Sequence, residues 1–118
     1  MFGVATYFAG NASKADIYTE DPTHHLPKQA LRKMIVAKAF LGKSHRAAAP
    51  MQGAHRPPDG GDGRPLDSAW ADVRSNGGAV DHHEVMLYDK GQAYPQFLVT
   101  YAHVDGCSCA ECCKRPAA

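Results

Sequence analysis

The sequence predicts a small α+β fold built mainly on antiparallel strands. Two segments near the carboxyl end, Glu84 to Tyr88 and Phe97 to Tyr101, alternate in side-chain character as half-buried strands do. A third segment, Lys33 to Gly42, has apolar residues on both faces, which is typical of a strand covered on both sides. A fourth, Asn11 to Thr19, favours a helix. With 118 residues and 44% hydrophobic content, the chain suffices for one compact domain.

The first half of the chain is predicted to hold one short helix and one strand. Asn11 or Ser13 is placed to cap the exposed N–H groups of the helix, and Pro22 ends it. We expect Lys33 to Gly42 to be a largely buried strand. A helix that begins at Lys28 would explain the first half of that segment equally well.

The middle of the chain is predicted to be a long irregular loop followed by a short helix. Residues 46–63 contain three prolines and four glycines with almost no periodic apolar signal, and loops of this length are usually functional or mobile. After the loop, Leu66, Trp70 and Val73 recur at spacings of four and three. That spacing predicts one amphipathic helix or turn between Pro65 and Ser75.

The carboxyl end is predicted to hold two adjacent strands and a tail. Asp89-Lys90-Gly91 supplies the turn chemistry between the strands, and Pro95 stops the ladder just before the second strand. After Val104 the pattern ends. We therefore expect one domain over residues 1–104 and a flexible, cysteine-rich tail over residues 105–118.

Charge and composition narrow the classes of partner. A formal net charge of +1 and a pI near 7.7 predict no attraction to nucleic acid or to an acidic membrane surface. No apolar run is long enough to span a bilayer, and the start lacks the features of a secretory signal. The expectation is an intracellular protein of the cytoplasm or nucleus.

The four cysteines all lie within seven residues of the tail, at Cys107, Cys109, Cys112 and Cys113. They cannot join distant parts of the fold as a secreted disulfide framework would. The spacing of Cys109 and Cys112 is common among zinc ligands, but all four on one tetrahedral ion would strain the backbone. The prediction is no metal site, with a shared zinc or copper ion, lipidation and reduced thiols as alternatives for these four residues.

Glu84 is the candidate catalytic residue. It opens a strand on the same face as Met86 and Tyr88, so its carboxylate is presented at the strand end. Strand ends beside a cleft are where catalytic side chains meet substrate. A charged residue that merely marks the end of a strand is the alternative.

Two motifs identify a family. Glu84 stands eight residues before the segment Gln92-Ala93-Tyr94-Pro95, and Tyr7-Phe8-Ala9 lies near the start. Together they resemble the second half of the catalytic domain of the poly(ADP-ribose) polymerases, the tankyrases especially. In that family a catalytic Glu precedes a Gln-Ala-Tyr-Pro turn by the same spacing. The resemblance implies the ADP-ribosyltransferase fold, with its amino-terminal half missing from this chain.

The resemblance also implies an activity. Members transfer ADP-ribose from NAD, which serves as co-substrate, to a protein acceptor and release nicotinamide. The family's Glu hydrogen-bonds a hydroxyl of the nicotinamide-side ribose, and this role falls to Glu84. A carboxylate suits the task, because cleavage of the nicotinamide–ribose bond develops positive charge on the sugar.

Three further positions take roles from the resemblance. Tyr7 corresponds to the Tyr that lines the nicotinamide-ribose side of the pocket, and the resemblance makes it a candidate catalytic residue beside Glu84 as well as an NAD-binding residue. An ordinary strand aromatic would look the same. Tyr18 falls where an aromatic ring stacks on nicotinamide. Ala15 stands where the family usually has the Ser that hydrogen-bonds the carboxamide, and Ser13 can substitute for it only if the backbone shifts.

Two more segments match the tankyrases in order and spacing, so the resemblance runs from about Gly3 to Tyr101. One is Leu41-Gly42-Lys43-Ser44, and the other, Ala54 to Pro58, lies in the loop that covers the donor. The tankyrase zinc insertion has no counterpart, since Glu20 to Gln29 contains no cysteine. The histidine pairs His24-His25 and His82-His83 are interpreted as solvated loops.

The family's first catalytic element, a His-Gly strand that grips NAD, has no counterpart here. In the family it precedes the Tyr-Phe-Ala strand, whereas every histidine of this chain follows Tyr7. We expect an isolated chain of marginal stability, or one completed by a missing amino-terminal half or a partner chain. The alternative function is a non-catalytic remnant that binds a protein or a metal.

Overall fold

The computed structural model describes residues 1–20, 26–27 and 29–104. Over these residues it contains six strands: β1 (Thr6–Ala9), β2 (Arg32–Ala39), β3 (Ser44–Ala47), β4 (Ser68–Ala71), β5 (Glu84–Leu87) and β6 (Ala93–Tyr101). One α-helix, α1, spans Ala12–Asp16. The chain divides into a first unit, Met1–Asn11 with Lys38–Tyr94, and a second unit, Ala12–Ala37 with Pro95–Ala118.

The first unit is built on a four-stranded sheet in the order β1-β5-β4-β3. Strand β5 pairs antiparallel with both β1 and β4, and β3 pairs parallel with β4. Because neighbours in register share a face, the sheet has two distinct surfaces. The Met86 face carries Tyr7, Ala9, His45, Ala47, Ala69, Ala71, Glu84 and Met86. The Trp70 face carries Thr6, Phe8, Ser44, Arg46, Ser68, Trp70, Val85 and Leu87.

The hydrophobic core lies on the Met86 face. Met86 is fully buried and packs with Phe2, Val80 and the alanines of β3 and β4. Small residues on β3 and β4 let Phe2 and Val80 approach the sheet closely, and this close packing excludes water from the middle of the face.

The amino-terminal segment is fastened to this core by both polar groups of one residue. The backbone N–H of Phe2 donates to the Tyr7 hydroxyl at 3.1 Å, and the Phe2 carbonyl accepts from the Tyr88 hydroxyl at 2.8 Å. Gly3 follows with a φ of +93°, and a Cβ there would lie 2.1 Å from the Ala54 carbonyl oxygen. Only glycine allows that close approach without strain.

The second unit combines α1 with most of a two-stranded sheet of β2 and β6. After α1 the chain continues as a 3₁₀ turn, Ile17–Thr19. Asp16 is buried, and one of its carboxylate oxygens accepts from the Tyr101 hydroxyl at 2.5 Å and contacts His103 Nε2 at 2.9 Å. Arg32, also buried, forms a salt bridge with Glu20. Polar contacts therefore hold the interior of this unit.

Several predictions of local structure are confirmed. The molecule is α+β with mostly antiparallel strands. The helical turns fall where Asn11 to Thr19 predicted them, and β2 lies within the predicted strand apart from its first residue, Arg32. Asp89 caps a 3₁₀ turn, Lys90–Gln92, by accepting from the Gly91 N–H at 2.8 Å.

Of the two alternatives predicted between Pro65 and Ser75, a short amphipathic helix or a turn, the helix is wrong. Residues Ser68–Ala71 form β4, in the centre of the sheet, and only Arg74–Asn76 makes a 3₁₀ turn. Ala69 and Ala71 are fully buried on the Met86 face, so tertiary packing decided the structure where the spacing of three larger residues suggested a helix. Strand β3, which pairs with β4, replaces the first residues of the predicted loop.

The predicted pairing of the last two strands is also wrong. Strand β5 pairs with β1 and β4, whereas β6 pairs with β2. The turn between them does not form a hairpin, and the Gln92 side chain at its end donates to the carbonyls of Phe40 (3.2 Å) and Asp67 (2.7 Å). Strand β6 begins at Ala93, so Pro95 lies inside it rather than before it. Pro95 is tolerated because a two-stranded sheet consists of edge strands.

Strand β2 is not largely buried, contrary to the sequence prediction. Ile35 is 64% exposed and Val36 is 44% exposed. The apolar character on both faces is present, but no second layer covers this strand in the described part of the chain. The predicted tail, with its four cysteines, and the pair His24-His25 lie outside the described residues. Within the described ranges, no helix has the length and apolar character to cross a membrane.

Candidate functional site

Glu84 is the first residue of β5, as the sequence predicted, and is half-buried on the Met86 face. Its partners in register are Ala9 on β1 and Ala71 on β4. Directly opposite residues bring their Cβ atoms within about 5 Å, so the two alanines are the nearest side chains across the sheet. Both neighbours are small, so neither carries a long side chain across the sheet beside Glu84.

Tyr7 lies on the same face of the sheet. It is on β1, two residues before Ala9, the residue in register with Glu84. It is in register with Met86, which makes it a diagonal neighbour of Glu84 at a distance of about 7–8 Å between backbone positions. The Tyr7 hydroxyl donates to the Gly3 carbonyl at 2.8 Å and accepts from the Phe2 N–H. Since the hydroxyl is bound to backbone, the ring of Tyr7 is the part available to line a site.

Tyr88 extends the row of Glu84 and Met86 on β5's continuation and is packed against the core. Burial raises the pKa of Tyr88 above its usual value, and the proximity of Tyr7 raises it further. Both phenols hydrogen-bond the backbone of the amino-terminal segment and so fix it beside the sheet. The sheet brings together Tyr7 and Glu84, which are 77 positions apart in the sequence.

Ser13 and Tyr18 belong to the second unit. Ser13 is half-buried in α1, and Tyr18 is 72% exposed in the 3₁₀ turn that follows. The Lys14 ammonium lies 5.6 Å from the centroid of the Tyr18 ring, within the range of a cation–π interaction. A ligand that stacked on that face of Tyr18 would have to displace Lys14.

The two shorter matched segments have structural contacts. In Leu41 to Ser44, the Lys43 N–H donates to the Asp67 carboxylate at 2.8 Å, and Ser44 Oγ lies 2.5 Å from Ser68 Oγ. In the other segment Arg56 forms a salt bridge with Asp59 at 2.7 Å, and this contact holds the pKa of Asp59 below its usual value.

A cluster of four side chains on the Trp70 face was missed by the sequence prediction. We call it the Trp70 cluster: Arg46, Trp70, Asp72 and His83. The Trp70 indole N–H donates to His83 Nδ1 at 3.0 Å, and the two rings are tilted with centroids 5.2 Å apart. Arg46 makes two hydrogen bonds to the Asp72 carboxylate, at 2.6 and 3.3 Å, and its guanidinium lies 5.5 Å from the Trp70 ring centroid.

His83 does lie outside the strands, as predicted, with its side chain 38% exposed, but its ring is also hydrogen-bonded by Trp70, a contact that the interpretation as a solvated loop did not include. The signal was present in the sequence as alternation, since His83 precedes Glu84 and must point to the opposite face. Alternation predicts the contact between His83 and Trp70 only if Trp70 lies on a strand. The sequence predicted a helix or turn for Pro65 to Ser75 instead.

No group of three or more His, Cys, Asp or Glu side chains that could hold a metal ion occurs among residues 1–20, 26–27 and 29–104. The cysteine set of the tail falls outside those ranges, so the alternative that it binds metal stays a prediction. In a comparison with protein families, no family model matches the chain.

Proposed function

We propose that this chain is an NAD-dependent protein ADP-ribosyltransferase of the poly(ADP-ribose) polymerase type. The observation that supports it best is the shared face of Glu84 and Tyr7. The two residues come from the two motifs that carry the family resemblance, and strands β1 and β5 make them neighbours. A structure without this pairing would have given the motifs no common site.

The proposed chemistry places Glu84 at the reacting sugar. As the bond between nicotinamide and ribose breaks, its electron pair leaves with nicotinamide and positive charge develops on the ribose. A fixed carboxylate beside the ribose stabilises that charge and accepts a hydrogen bond from its hydroxyl. The acceptor side chain then bonds to the ribose carbon and loses its proton. The cross-strand neighbours of Glu84 in register, Ala9 and Ala71, are both small residues.

Tyr7 supplies a wall to this site rather than an acid or base, because its hydroxyl is bound to the backbone of Phe2 and Gly3. We retain Tyr18 and Ser13 as residues for nicotinamide on the strength of the resemblance alone. Ala15 lacks the hydroxyl of the family's Ser. The loss of one such hydrogen bond weakens binding by about 0.5–1.5 kcal/mol, which does not abolish it.

The experiment is a labelling assay with the full chain. Purified protein is incubated with NAD that carries a label on the adenine, and both nicotinamide release and labelled protein are measured. We expect Glu84→Gln to lower the rate by about 10²- to 10⁴-fold. Asp62→Asn is the matched control, since it removes one exposed carboxylate from a loop and should leave the rate unchanged. Equal background labelling of the wild type and Glu84→Gln would defeat the proposal.

A second candidate function is supported by the exposure of β2 and β6. Apolar side chains of these strands are exposed on both faces, with Ile35 at 64%, Phe97 at 59% and Leu98 at 62%. Exposed strands with apolar faces are a template for pairing with another chain. Under this alternative, the chain is a non-catalytic module that binds a protein through this sheet, and the labelling assay gives background values for every variant.

A further inference from the structure

The Trp70 cluster lies immediately behind Glu84. Trp70 is in register with Val85, and Ala71 is in register with Glu84. The next residues outward, Asp72 on the β4 side and His83 on the β5 side, follow these pairs at the end of the ladder. The contact between Trp70 and His83 therefore joins the two strands at the point where β5 begins, one residue from the carboxylate.

Because side chains alternate along a strand, a contact that fixes the His83 side chain also fixes the direction of the Glu84 side chain. Successive side chains of a strand point to opposite faces, so fixing the His83 ring on the Trp70 face directs Glu84 to the Met86 face. The His83 ring touches three groups of β4 and its continuation. These are the Trp70 indole N–H, the Ala71 carbonyl at 3.2 Å from Nδ1, and the Asp72 carboxylate at 3.9 Å from Nδ1.

The protonation of His83 decides which of these contacts forms. An indole N–H is only a donor, so the 3.0 Å contact requires His83 Nδ1 to be the acceptor and to carry no proton. When Nδ1 gains a proton, two N–H groups face each other and the bond to Trp70 is lost. The new N–H then finds acceptors in the Ala71 carbonyl and the Asp72 carboxylate. One ring nitrogen thus has two alternative sets of partners.

The charged groups around His83 are few in the described part of the cluster. Asp72 is the nearest, with its side chain 15% exposed, and Arg46 from β3 is bound to it in a salt bridge. Arg46 also covers the Trp70 ring. Glu84 is adjacent in sequence but points to the other face. A protonated His83 would compete with Arg46 for Asp72.

We propose that Trp70 is a positioning residue for Glu84, acting through a hydrogen bond to neutral His83 that protonation of His83 breaks. This inference rests on the proposed function, because it assigns Trp70 a part in presenting the catalytic carboxylate. The hydrogen bond between Trp70 and His83 is then a pH-sensitive contact on the face of the sheet opposite the proposed substrate.

The first test observes the contact without any activity measurement. Trp70 is the only tryptophan, so its indole N–H gives a single nitrogen–proton NMR signal. The carboxyl carbon of Glu84 is assigned by its loss in Glu84→Gln. As the pH is lowered from about 8 to about 5, we expect the indole signal and the Glu84 signal to shift together. In Trp70→Phe, the Glu84 signal should lose that step.

Two substitutions of His83 separate hydrogen bonding from protonation. Asn places an oxygen close to where Nδ1 stands and cannot be protonated, so His83→Asn should keep the indole hydrogen bond at every pH. His83→Leu removes the acceptor and should lose the bond at every pH.

The second test uses nicotinamide release. At pH 8 we expect Trp70→Phe and His83→Leu to lower kcat by up to about 100-fold with little change in KM, since small displacements of a catalytic group cost rates of that size. His83→Asn should retain kcat. At pH 5.5 the kcat of the wild type should fall towards that of Trp70→Phe, so that the difference between them shrinks. If Trp70→Phe were merely destabilised, its kcat would stay lower than that of the wild type by the same factor at both pH values.

The two proposals fail in different ways. If the Glu84 carboxyl signal changes with pH in the same way in the wild type and in Trp70→Phe, the positioning role is overturned even in an active enzyme. If the wild type releases no nicotinamide, the proposed function is overturned, whatever the NMR signals show.

Discussion

The two units of this chain bury different chemistry. Every large, fully buried apolar side chain in the described residues belongs to the first unit, where Phe2, Met86 and Leu87 lie in or beside the sheet. In the described part of the second unit, the buried residues are Asp16 and Arg32. Apolar burial stabilises in proportion to area, whereas buried charges require partners. The first unit is therefore a packed frame for Glu84, and the second depends on a polar network.

The comparison predicts that the cost of removing an apolar side chain differs sharply between the units. Met86→Ala should lower the free energy of unfolding of the first unit by about 2–5 kcal/mol, because Met86 is fully buried. Leu98→Ala, on β6, should change stability by no more than about 0.5 kcal/mol, since Leu98 is 62% exposed.

Each unit has its own probe for this measurement. Trp70 fluorescence reports the first unit, and the methyl signals of Ile17 and Ile35, the only isoleucines in the chain, report the second. Urea unfolding followed with both probes gives a free energy for each unit. A large cost for Leu98→Ala would mean that another chain covers β6 in solution and would favour the binding-module alternative.

The polar network gives the second prediction. Asp16→Asn keeps the shape of the side chain but removes the charge that Tyr101 and His103 share. We expect the second unit to lose about 1–3 kcal/mol, because buried donors are left with a poorer acceptor. The isoleucine signals should show this loss while Trp70 fluorescence is unchanged. Asp59→Asn, at an exposed salt bridge, is the control and should affect neither probe.

Asp16→Asn could instead lower the stability measured by Trp70 fluorescence as much as that measured by the isoleucine signals. That result would contradict separate stabilities for the two units. It would show that the two units unfold as one cooperative structure. In that case the polar network would contribute to the stability of the sheet that carries Glu84.

The sequence was most informative where local chemistry decides structure. Alternation gave the beginning of β5 at Glu84, and Asp89 and Gly91 gave the capped turn that follows. It was least informative where sheet pairing decides structure. Ser68–Ala71 contains two alanines, a serine and a tryptophan, and its strand conformation comes from pairing with β3 and β5 on either side. Such long-range pairing leaves no local pattern to read.

Long-range strand pairing also decides which residues surround Glu84. The motif around Glu84 predicted a carboxylate at a strand end, but β6 was expected beside it where β1 lies instead. That pairing brings Tyr7 to Glu84. It also shows why His83 looked like a surface residue, because its partner Trp70 is on a strand that was assigned to a helix.

The smallest expected effect is a pH dependence confined to the second unit. Burial raises the pKa of Tyr101, and the hydrogen bond to Asp16 and the charge of that carboxylate raise it further. The folded unit therefore favours the neutral phenol. The resulting stability is fully present below the unfolded pKa of about 10 and is lost as the pH rises through the higher folded pKa.

Tyr101→Phe tests this dependence. At pH 8 the variant should be less stable than the wild type by about 0.5–1.5 kcal/mol, the value of one hydrogen bond. Above pH 10 the difference should shrink, because the wild type alone must then ionise a buried phenol or keep it protonated at a cost. Urea unfolding from pH 8 to 11, followed by the isoleucine methyl signals, measures the difference. Tyr94→Phe removes an exposed phenol and should give a pH-independent offset near zero. A Tyr101→Phe difference that grew with pH would contradict this prediction, because it would mean that folding lowers the pKa of Tyr101 instead of raising it.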